Sequence, residues 1–256
     1  MSVLTSRDNP KVKRWGKLAG DPRYRRSEKR ALIEGPHLLA AALQQGCKPL
    51  AVLATQEGAA DAEISRLIAQ SGLRPILMGK GVLRSVVDAE TPLGVAAEIA
   101  IPAPTSREAT HVVFLEGVQD PGNVGAIMRS AAAFGVQRVI LDPACADPWS
   151  PKALRAGMGG HFALQVAETR DLAGEIDAFK GTVACTVPRG GVALRGASLE
   201  RSWAWIFGGE GRGLGDETIA RADLRVTIPM SPGTESLNVA AAAAICLYEG
   251  FSRSAA

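Results

Sequence analysis

The chain has 256 residues, of which 46% are hydrophobic and 21% charged, so its composition is that of a folded protein with one large or two modest domains. Its most apolar stretch, residues 239–248, is only ten residues long, about half of what a membrane-spanning helix needs. No apolar secretion signal begins the chain, and the four cysteines form no CxxC pair, which argues against a zinc site and a disulfide framework. We therefore expect a cytoplasmic protein with free thiols, no metal site and no membrane association.

Positive charge is concentrated at the N-terminus. Residues 1–30 carry ten Lys and Arg against three Asp and Glu, a net charge of +7, whereas the rest of the chain carries −4. A basic segment on a mildly acidic body favours a polyanionic partner, and nucleic acid is the usual one. Trp15 and Tyr24 lie among these charges and would suit stacking on unpaired bases. The alternative is a solvated basic helix that binds nothing.

Two series of alternating helices and strands are separated by a proline-rich polar segment at residues 101–106, which we predict as the domain boundary. In the first series the hydrophobic pattern predicts helix 37–45, strand 49–55, helix 61–70, strand 74–78, helix 83–88 and strand 94–101. In the second it predicts strand 111–116, helix 123–135, strand 138–142, helix 151–158, strand 162–166, helix 171–180, strand 182–187, strand 203–207, helix 216–221, strand 224–228 and helix 237–251. We expect a small α/β domain over residues 1–103 and, over residues 104–256, an α/β domain whose parallel sheet is covered by helices on both faces.

Three polar loops follow predicted strands of the second domain, where open α/β sheets bind ligands. The first spans residues 115–129, and Asn123 fits the N-cap of a helix that is apolar almost all round and therefore expected to be buried. Arg129 interrupts that helix, and a buried guanidinium needs an anionic partner. That partner is a structural carboxylate or, in the functional interpretation, a phosphate or a reacting oxygen.

The second and third loops are also rich in turn formers and polar groups. Residues 206–214 place several glycines around Glu210, which lets the backbone approach a ligand closely; the alternative is a flexible turn. In residues 228–239, Ser236 is a plausible N-cap of the closing helix. Asn238 would lie in the first turn of that helix, with a solvated surface position as the alternative.

Taken together and in this order, the three loops resemble the motifs of the SpoU (TrmH-like) branch of the SPOUT RNA methyltransferases, over roughly residue 112 to the C-terminus. Residues 4–45, with Asn9-Pro10 and Ile33-Glu34-Gly35, resemble more loosely the substrate-binding domain that often precedes this catalytic domain. The resemblance implies a C-terminal trefoil knot that binds S-adenosylmethionine and a homodimer formed through the knotted domain. It also implies methyl transfer to a ribose 2′-hydroxyl of RNA.

The same resemblance assigns roles to individual residues. Arg129 would lie beside the ribose hydroxyl and bind the adjacent phosphate or the developing alkoxide, because an Arg is a reluctant base. The other expected catalytic residues are Asn123, Glu210, Ser236 and Asn238. The expected cofactor-binding residues are Phe207, Gly208, Gly209, Glu210, Gly211, Gly213, Ile228, Pro229, Met230, Ser236 and Leu237. The expected RNA-binding residues are Lys11, Lys13, Arg14, Arg23, Arg25, Arg26, Lys152 and Arg155.

A separate basic N-terminal domain favours a large structured RNA, so we expect ribosomal RNA as the substrate rather than transfer RNA. A transfer RNA 2′-O-methyltransferase is one alternative, and a non-catalytic knotted RNA-binding or assembly factor is the other. For Lys152 and Arg155, which lie three apart on one predicted helix, the alternative to phosphate contact is a solvated face. His161 is expected to cap or pack rather than to catalyse.

Overall fold

The computed structural model describes residues 3–89, 91–105, 108–199, 201–233 and 235–254. The chain forms two compact units, one of Met1–Pro102 with Asp147–Phe162 and one of Ala103–Ala146 with Ala163–Ala256. The first boundary lies within two residues of the expected one. Residues 147–162, which we expected in the second domain, instead pack into the first unit.

The described part of the chain consists of short helices and strands that follow one another, mostly in alternation. The elements up to residue 100 are α1 (Pro10–Gly20), α2 (Pro22–Glu28), β1 (Arg30–Glu34), α3 (Gly35–Gln44), β2 (Pro49–Ala54), α4 (Gln56–Ala60), α5 (Ala62–Ser71), β3 (Ile76–Leu77), α6 (Lys80–Arg84) and β4 (Val95–Ala100). The elements after residue 100 are β5 (His111–Glu116), α7 (Pro121–Ala133), β6 (Arg138–Leu141), α8 (Pro151–Gly157), β7 (Gln165–Glu168), α9 (Leu172–Asp177), β8 (Thr182–Thr186), β9 (Val192–Ala193), β10 (Trp203–Gly208), α10 (Asp216–Arg221), β11 (Leu224–Thr227) and α11 (Val239–Ser254).

Most predicted elements are confirmed with shifts of one to three residues, but two are displaced. The predicted helix 83–88 is α6, which starts at Lys80 and ends at Arg84. Gly79 and Gly81 obscure its start in the sequence because glycine is a poor helix former. The predicted strand 162–166 is a 3₁₀ turn over Gly160–Ala163, after which β7 begins.

The first unit is built on a four-stranded mixed sheet in the order β1-β4-β2-β3. Strand β4 is antiparallel to β1 and β2, and β3 is parallel to β2. Helix α1 covers the sheet with Val12, Trp15 and Leu18, which are buried against residues such as Leu53 and Met78. Trp15 is only 1% exposed, so the expectation that it stacks on RNA bases is wrong.

A buried carboxylate anchors α1 to the sheet. Glu98 of β4 is 1% exposed and accepts hydrogen bonds from Trp15 Nε1 at 2.8 Å, from Arg30 Nη1 at 2.6 Å and from both terminal nitrogens of Arg14. Burial alone would raise the pKa of Glu98, but the hydrogen bonds from Arg14, Arg30 and Trp15 outweigh it and hold that pKa below its usual value. The Arg14 guanidinium is thereby held by a carboxylate of the same unit, although its side chain stays 31% exposed.

A buried ion pair fastens residues 147–162 into the first unit. Arg25 of α2 is 2% exposed, and its Nε donates to Asp147 Oδ2 over 2.7 Å. Its Nη1 donates to the carbonyl oxygens of Leu18 at 2.6 Å and Ala19 at 2.8 Å. The expectation that Arg25 binds RNA is therefore wrong. His161 of the same segment is packed and fully buried, as expected, and burial lowers its pKa to about 4.

The second unit is built on a seven-stranded sheet in the order β7-β6-β5-β10-β8-β11-β9, in which every pair of neighbours is parallel. Alternate residues of β5 point to opposite faces, so Val112 and Phe114 pack in a cluster with Leu172 and Ile176 of α9. Helix α11 contacts β10 and packs against α7. The predicted parallel sheet covered by helices is confirmed. In the described part of the chain, no helix has the length and apolar character needed to cross a membrane.

Candidate active site

The three polar loops of the second unit begin at one edge of its sheet. Strand β10 lies between β5 and β8, and β11 lies beyond β8, all parallel. The loops that follow β5, β10 and β11 therefore start at the carboxyl edge, where parallel sheets bind ligands.

Asn123 joins the three loops. Its Nδ2 donates a hydrogen bond to Glu210 Oε1 in the loop after β10. Its Oδ1 accepts a hydrogen bond of 3.1 Å from Asn238 Nδ2, in the segment between β11 and α11. Asn123 is half-buried, whereas Glu210 and Asn238 are exposed. Three of the five expected catalytic residues thus form one hydrogen-bonded set that is open to solvent.

The start of α7 explains why the Asn123 side chain is available for this set. We predicted Asn123 as the N-cap, but Asp120 is the cap, and its Oδ1 accepts the Asn123 backbone N–H at 3.0 Å. Pro121 occupies the first helical position, where its missing N–H costs nothing. Asn123 therefore lies in the first turn with its side-chain amide directed to other loops.

The closing helix is also capped differently from the prediction. Asn238 Oδ1 accepts the N–H groups of Ala240 at 2.9 Å and Ala241 at 3.3 Å, so Asn238 rather than Ser236 caps α11. Asn238 consequently has two functions, because its oxygen caps the helix while its amide nitrogen holds Asn123. Ser236 is exposed in the preceding loop.

Arg129 is exposed, although one apolar face of α7 is buried. Val124, Ile127, Met128 and Ala131 on the same helix are fully buried. Within the described part of the chain, no carboxylate or other hydrogen-bond partner holds the Arg129 guanidinium. The expectation that Arg129 lies in a buried helix and needs an internal partner is wrong, and its charge is available to an external anion.

Glycine is required twice where the loop after β10 folds back. A Cβ on Gly208 would lie 2.4 Å from the Gly213 carbonyl carbon, and a Cβ on Gly209 would lie 2.0 Å from Gly117 O. The Gly213 N–H donates to Gly209 O at 2.9 Å, and Gly213 has a φ of +66°. The loop therefore closes on itself, while the space around Gly211 and Gly213 is open.

These loops fit S-adenosylmethionine in their chemistry. The exposed glycine backbone suits a polar amino-acid moiety, and half-buried Ile228 and Met230 with exposed Leu237 suit an adenine ring. The other expected cofactor residues, Pro229 and Ser236, are exposed as well. Phe207 is different, because its side chain is completely buried and only its backbone lies near this edge.

Two residues that the sequence motifs do not indicate, Asp142 and Cys145, shape the loop after β5. Asp142 Oδ1 accepts the N–H groups of Gly117 at 3.0 Å and of Cys145 at 3.0 Å. Cys145 Sγ in turn accepts the Val118 N–H at 3.3 Å, and burial raises the pKa of Cys145 to about 12, so its thiol is neutral. The only signal in the sequence is the position of Asp142 directly after a strand.

The remaining candidate RNA-binding residues lie in the first unit. Lys11, Lys13, Arg23, Arg26 and Lys152 are exposed. Lys13 Nζ pairs with the exposed Asp8 at 2.9 Å. Arg155 is 40% exposed, and its Nη2 pairs with Asp88 Oδ2 at 2.6 Å.

Comparison with known proteins identifies both halves of the chain. The model of the SpoU rRNA Methylase family matches residues 110–248, and that of the MRM3-like substrate binding domain matches residues 9–97. The 23S rRNA (guanosine(2553)-2′-O)-methyltransferase RlmP of Bacillus subtilis (strain 168) is 32% identical over 97% of this chain and 98% of its own length.

Solved structures agree over nearly the full length. A crystal structure of an RNA 2′-O ribose methyltransferase superposes with a TM-score of 0.83 and 29% identity, covering 99% of each chain. An AdoMet-bound rRNA methyltransferase from Sinorhizobium meliloti superposes with a TM-score of 0.84 and 27% identity, covering 98% of each chain. With its hydrogen-bonded motif residues and these matches, the chain belongs to the SpoU rRNA methylase family.

Proposed function

We propose that this protein transfers the methyl group of S-adenosylmethionine to a ribose 2′-hydroxyl of ribosomal RNA. The observation that carries the proposal is the hydrogen-bonded set of Glu210, Asn123 and Asn238, which brings one polar residue from each motif loop to the carboxyl edge of the parallel sheet. Membership of the SpoU family supports the reaction type, and the RlmP relative is named for the same reaction on 23S rRNA.

S-adenosylmethionine supplies an electrophilic methyl group when bound. The ribose hydroxyl is a poor nucleophile, so the protein must hold it in line and favour loss of its proton. Arg129 suits the second task through charge, because a guanidinium stays protonated at neutral pH and stabilises a developing alkoxide or the phosphate beside it. Its exposure leaves it free to approach an RNA backbone.

The other expected catalytic residues position rather than transfer protons. Asn123 holds Glu210 and Asn238 at fixed places through its two amide atoms. Glu210 and Ser236 are exposed, so they can reach a bound ribose or cofactor. The backbone of Gly208–Gly213 and of Ile228–Leu237 would cradle the cofactor.

The first unit supports ribosomal RNA rather than transfer RNA as the substrate. It matches an MRM3-like substrate binding domain, and α1 and α2 expose Lys11, Arg23 and Arg26. Exposed cations on a separate unit suit a large folded RNA whose phosphates lie beyond the reacting nucleotide. The similarity of the chain to the Bacillus subtilis enzyme RlmP favours the cytoplasm as the place of the reaction.

We also propose a homodimer formed through the second unit, with the C-terminal trefoil knot of the family. Helix α11 exposes Ile245 by 41%, Tyr248 by 57% and Phe251 by 42% of their surfaces. The ring of Phe134, the C-cap of α7, has its centroid 5.7 Å from that of Tyr248 and 6.0 Å from that of Phe251. Large exposed apolar side chains in one patch are typical of an interface. Light scattering on a Tyr248→Glu variant should show a monomer where the unmodified protein is a dimer.

The reaction is tested with methyl-labelled S-adenosylmethionine. Purified protein is incubated separately with ribosomal RNA and transfer RNA from cells that lack the gene, and the RNA is digested to nucleosides. Label in 2′-O-methylated nucleosides from ribosomal RNA supports the proposal. Label in nucleosides from transfer RNA alone would support the methyl-transfer reaction but contradict ribosomal RNA as its substrate. Cofactor bound without label in either RNA requires the same assay on assembled ribosomal subunits, and no label there would favour a non-catalytic RNA-binding factor.

A further inference from the structure

Glu116 contacts both ends of the loop that follows β10. It is the last residue of β5, and its backbone carbonyl accepts the Gly209 N–H at 2.9 Å. Its side-chain Oε2 accepts the Gly215 N–H at 3.3 Å. One residue thus holds the first and the last residue of the segment 209–215, which contains Glu210.

The two contacts have different physical requirements. The contact with Gly209 is between main-chain atoms, so it is fixed by the pairing of β5 with β10. The contact with Gly215 instead requires the Glu116 side chain, whose Oε2 accepts the Gly215 N–H. Gly215 is the N-cap of α10 and makes no side-chain cap of its own. A Cβ on Gly215 would lie 3.2 Å from Glu116 Oε1, so the carboxylate fits closely against this glycine.

The tip of the segment is open to solvent. Gly211, Arg212 and Gly213 are exposed, and the space around a Cβ at Gly211 or Gly213 is open. The main-chain bond from Gly213 N–H to Gly209 O closes the first half of the loop only.

The second half is held by Leu214, which packs against the core cluster of β5 and α9, and by the main-chain bond from the Ile219 N–H to Gly215 O at 2.9 Å. The bond from the Gly215 N–H to Glu116 is the one contact that joins this half to β5 through a polar side chain among the described residues.

We propose that Glu116 is a positioning residue whose carboxylate fixes the segment 209–215 in the conformation that presents its backbone to S-adenosylmethionine. The inference rests on the proposed function, because it assigns this segment to the cofactor. Glu116 itself acts through the loop, and the required property is a hydrogen-bond acceptor rather than a negative charge.

The acceptor requirement separates two substitutions at the same position. Glu116→Gln keeps a side-chain oxygen that accepts the Gly215 N–H, whereas Glu116→Ala removes it. Loss of one hydrogen bond to a charged acceptor should weaken S-adenosylmethionine binding by about tenfold in Glu116→Ala. Glu116→Gln should stay within about threefold of the unmodified protein. The matched control is Glu217→Ala, which removes an exposed acid from the first turn of α10.

A third variant removes the same bond from the other partner. Gly215 has a φ of −68°, which proline adopts, so Gly215→Pro deletes the N–H in a backbone conformation that suits proline. The proline ring also pushes the Glu116 carboxylate away, since that carboxylate lies 3.2 Å from a Cβ at this position. If the bond is the cause, Glu116→Ala and Gly215→Pro should each weaken binding, and the double variant should be no weaker than the more affected single variant. Independent effects that add would overturn the proposal.

Two measurements keep this test distinct from the test of function. Titration calorimetry with S-adenosylmethionine gives the affinity, and hydrogen exchange of the cofactor-free protein gives the protection of the Gly215 amide. Faster exchange of the Gly215 amide in Glu116→Ala than in Glu116→Gln supports the positioning role, whether or not the protein binds the cofactor. Failure of every variant and of the unmodified protein to bind the cofactor would count against the proposed function alone. Equal exchange and equal affinity in Glu116→Ala and the unmodified protein would overturn the inference, as would failure of Glu116→Gln to restore both.

Discussion

The side-chain amide of Asn238 donates a hydrogen bond of 3.1 Å to the side-chain oxygen of Asn123, which ties the cap of α11 to the first turn of α7. The two residues are 115 positions apart in the sequence. Because the amide nitrogen of Asn123 is directed to Glu210, a single side chain connects the two other motif loops. The candidate site therefore depends on the orientation of one amide group.

Asn123→Ala should lower kcat/KM for methylation by about ten- to hundredfold, because two hydrogen bonds worth roughly 1 kcal/mol each are lost and Glu210 is released. Asn123→Asp is the sharper variant, since it keeps the shape but replaces the donor facing Glu210 with a second acid. Initial rates at varied RNA and cofactor concentrations measure both effects, with thermal unfolding as the control for folding. Activity of Asn123→Asp close to that of the unmodified protein would remove this set from the mechanism.

Arg129→Ala should lower methylation by about two decades or more while the cofactor affinity changes by only a few-fold. The guanidinium is exposed and the substitution leaves no buried group without a partner, so the unfolding temperature should not change. Arg170→Ala is the matched control, because Arg170 is an exposed arginine that follows the edge strand β7. Near-normal single-turnover rates in Arg129→Ala would show that the charge is not used in the reaction.

The second unit could largely be predicted from its sequence, and physical reasons explain why. Strands buried on both faces read as short continuous apolar runs, and the predicted strand 111–116 is the observed β5. The predicted helix 216–221 is likewise the observed α10. The helix caps are harder to predict from the sequence. Asp120 and Asn123 are equally good capping residues, and only the position of Pro121 distinguishes them.

The first unit shows what the sequence could not reveal. Arg23 and Arg25 are two residues apart on α2, yet Arg23 is exposed and Arg25 is buried against Asp147, 122 positions away. Trp15 likewise belongs to the core and bonds to Glu98. A basic run gives the total charge of a segment, but a partner distant in sequence decides which of its side chains face solvent.

Arg25→Ala should destabilise the first unit by about 3–5 kcal/mol, because it leaves the buried Asp147 carboxylate without its partner. Urea unfolding followed by tryptophan fluorescence measures the change. Arg23→Ala is the matched control, since Arg23 is exposed on the same helix and should shift the free energy of unfolding by less than about 0.5 kcal/mol. Equal effects of the two substitutions would contradict a structural role for Arg25.

Replacing Lys11, Arg23 and Arg26 with Gln should weaken RNA binding and flatten its dependence on salt. Each lost phosphate contact reduces the slope of log K against log salt concentration by about 0.7–0.9. Filter binding over a range of salt concentrations measures this slope. The control is Lys80→Gln, which removes one positive charge from the same unit. The Lys80 ammonium group already pairs with the Glu57 carboxylate at 3.1 Å. An unchanged slope in the triple variant would show that these cations of α1 and α2 do not contact RNA and form a solvated basic surface.

Glu98 should make the stability of the first unit depend on pH. Its folded pKa lies below the usual value, so its ionised form stabilises the folded protein above the ordinary carboxyl pKa, and this contribution is lost as the pH falls through the folded pKa. Glu98→Gln should therefore be less stable than the unmodified protein at neutral pH, and the difference should shrink as the pH falls below the ordinary carboxyl pKa and through the lower folded pKa. Urea unfolding at a series of pH values measures it.

The comparison with Glu57 isolates the effect of burial on that pH dependence. The pKa of Glu57 is also lowered, first by a backbone hydrogen bond and then by Lys80, but the carboxylate is fully exposed and water screens it. Glu57→Gln should therefore change the pH dependence of unfolding much less than Glu98→Gln does. The contrary result would be that Glu98→Gln loses the same free energy of unfolding at every pH. The contribution of Glu98 would then come from the shape and hydrogen bonds that glutamine fails to reproduce. It would not come from the negative charge of Glu98 between Arg14 and Arg30.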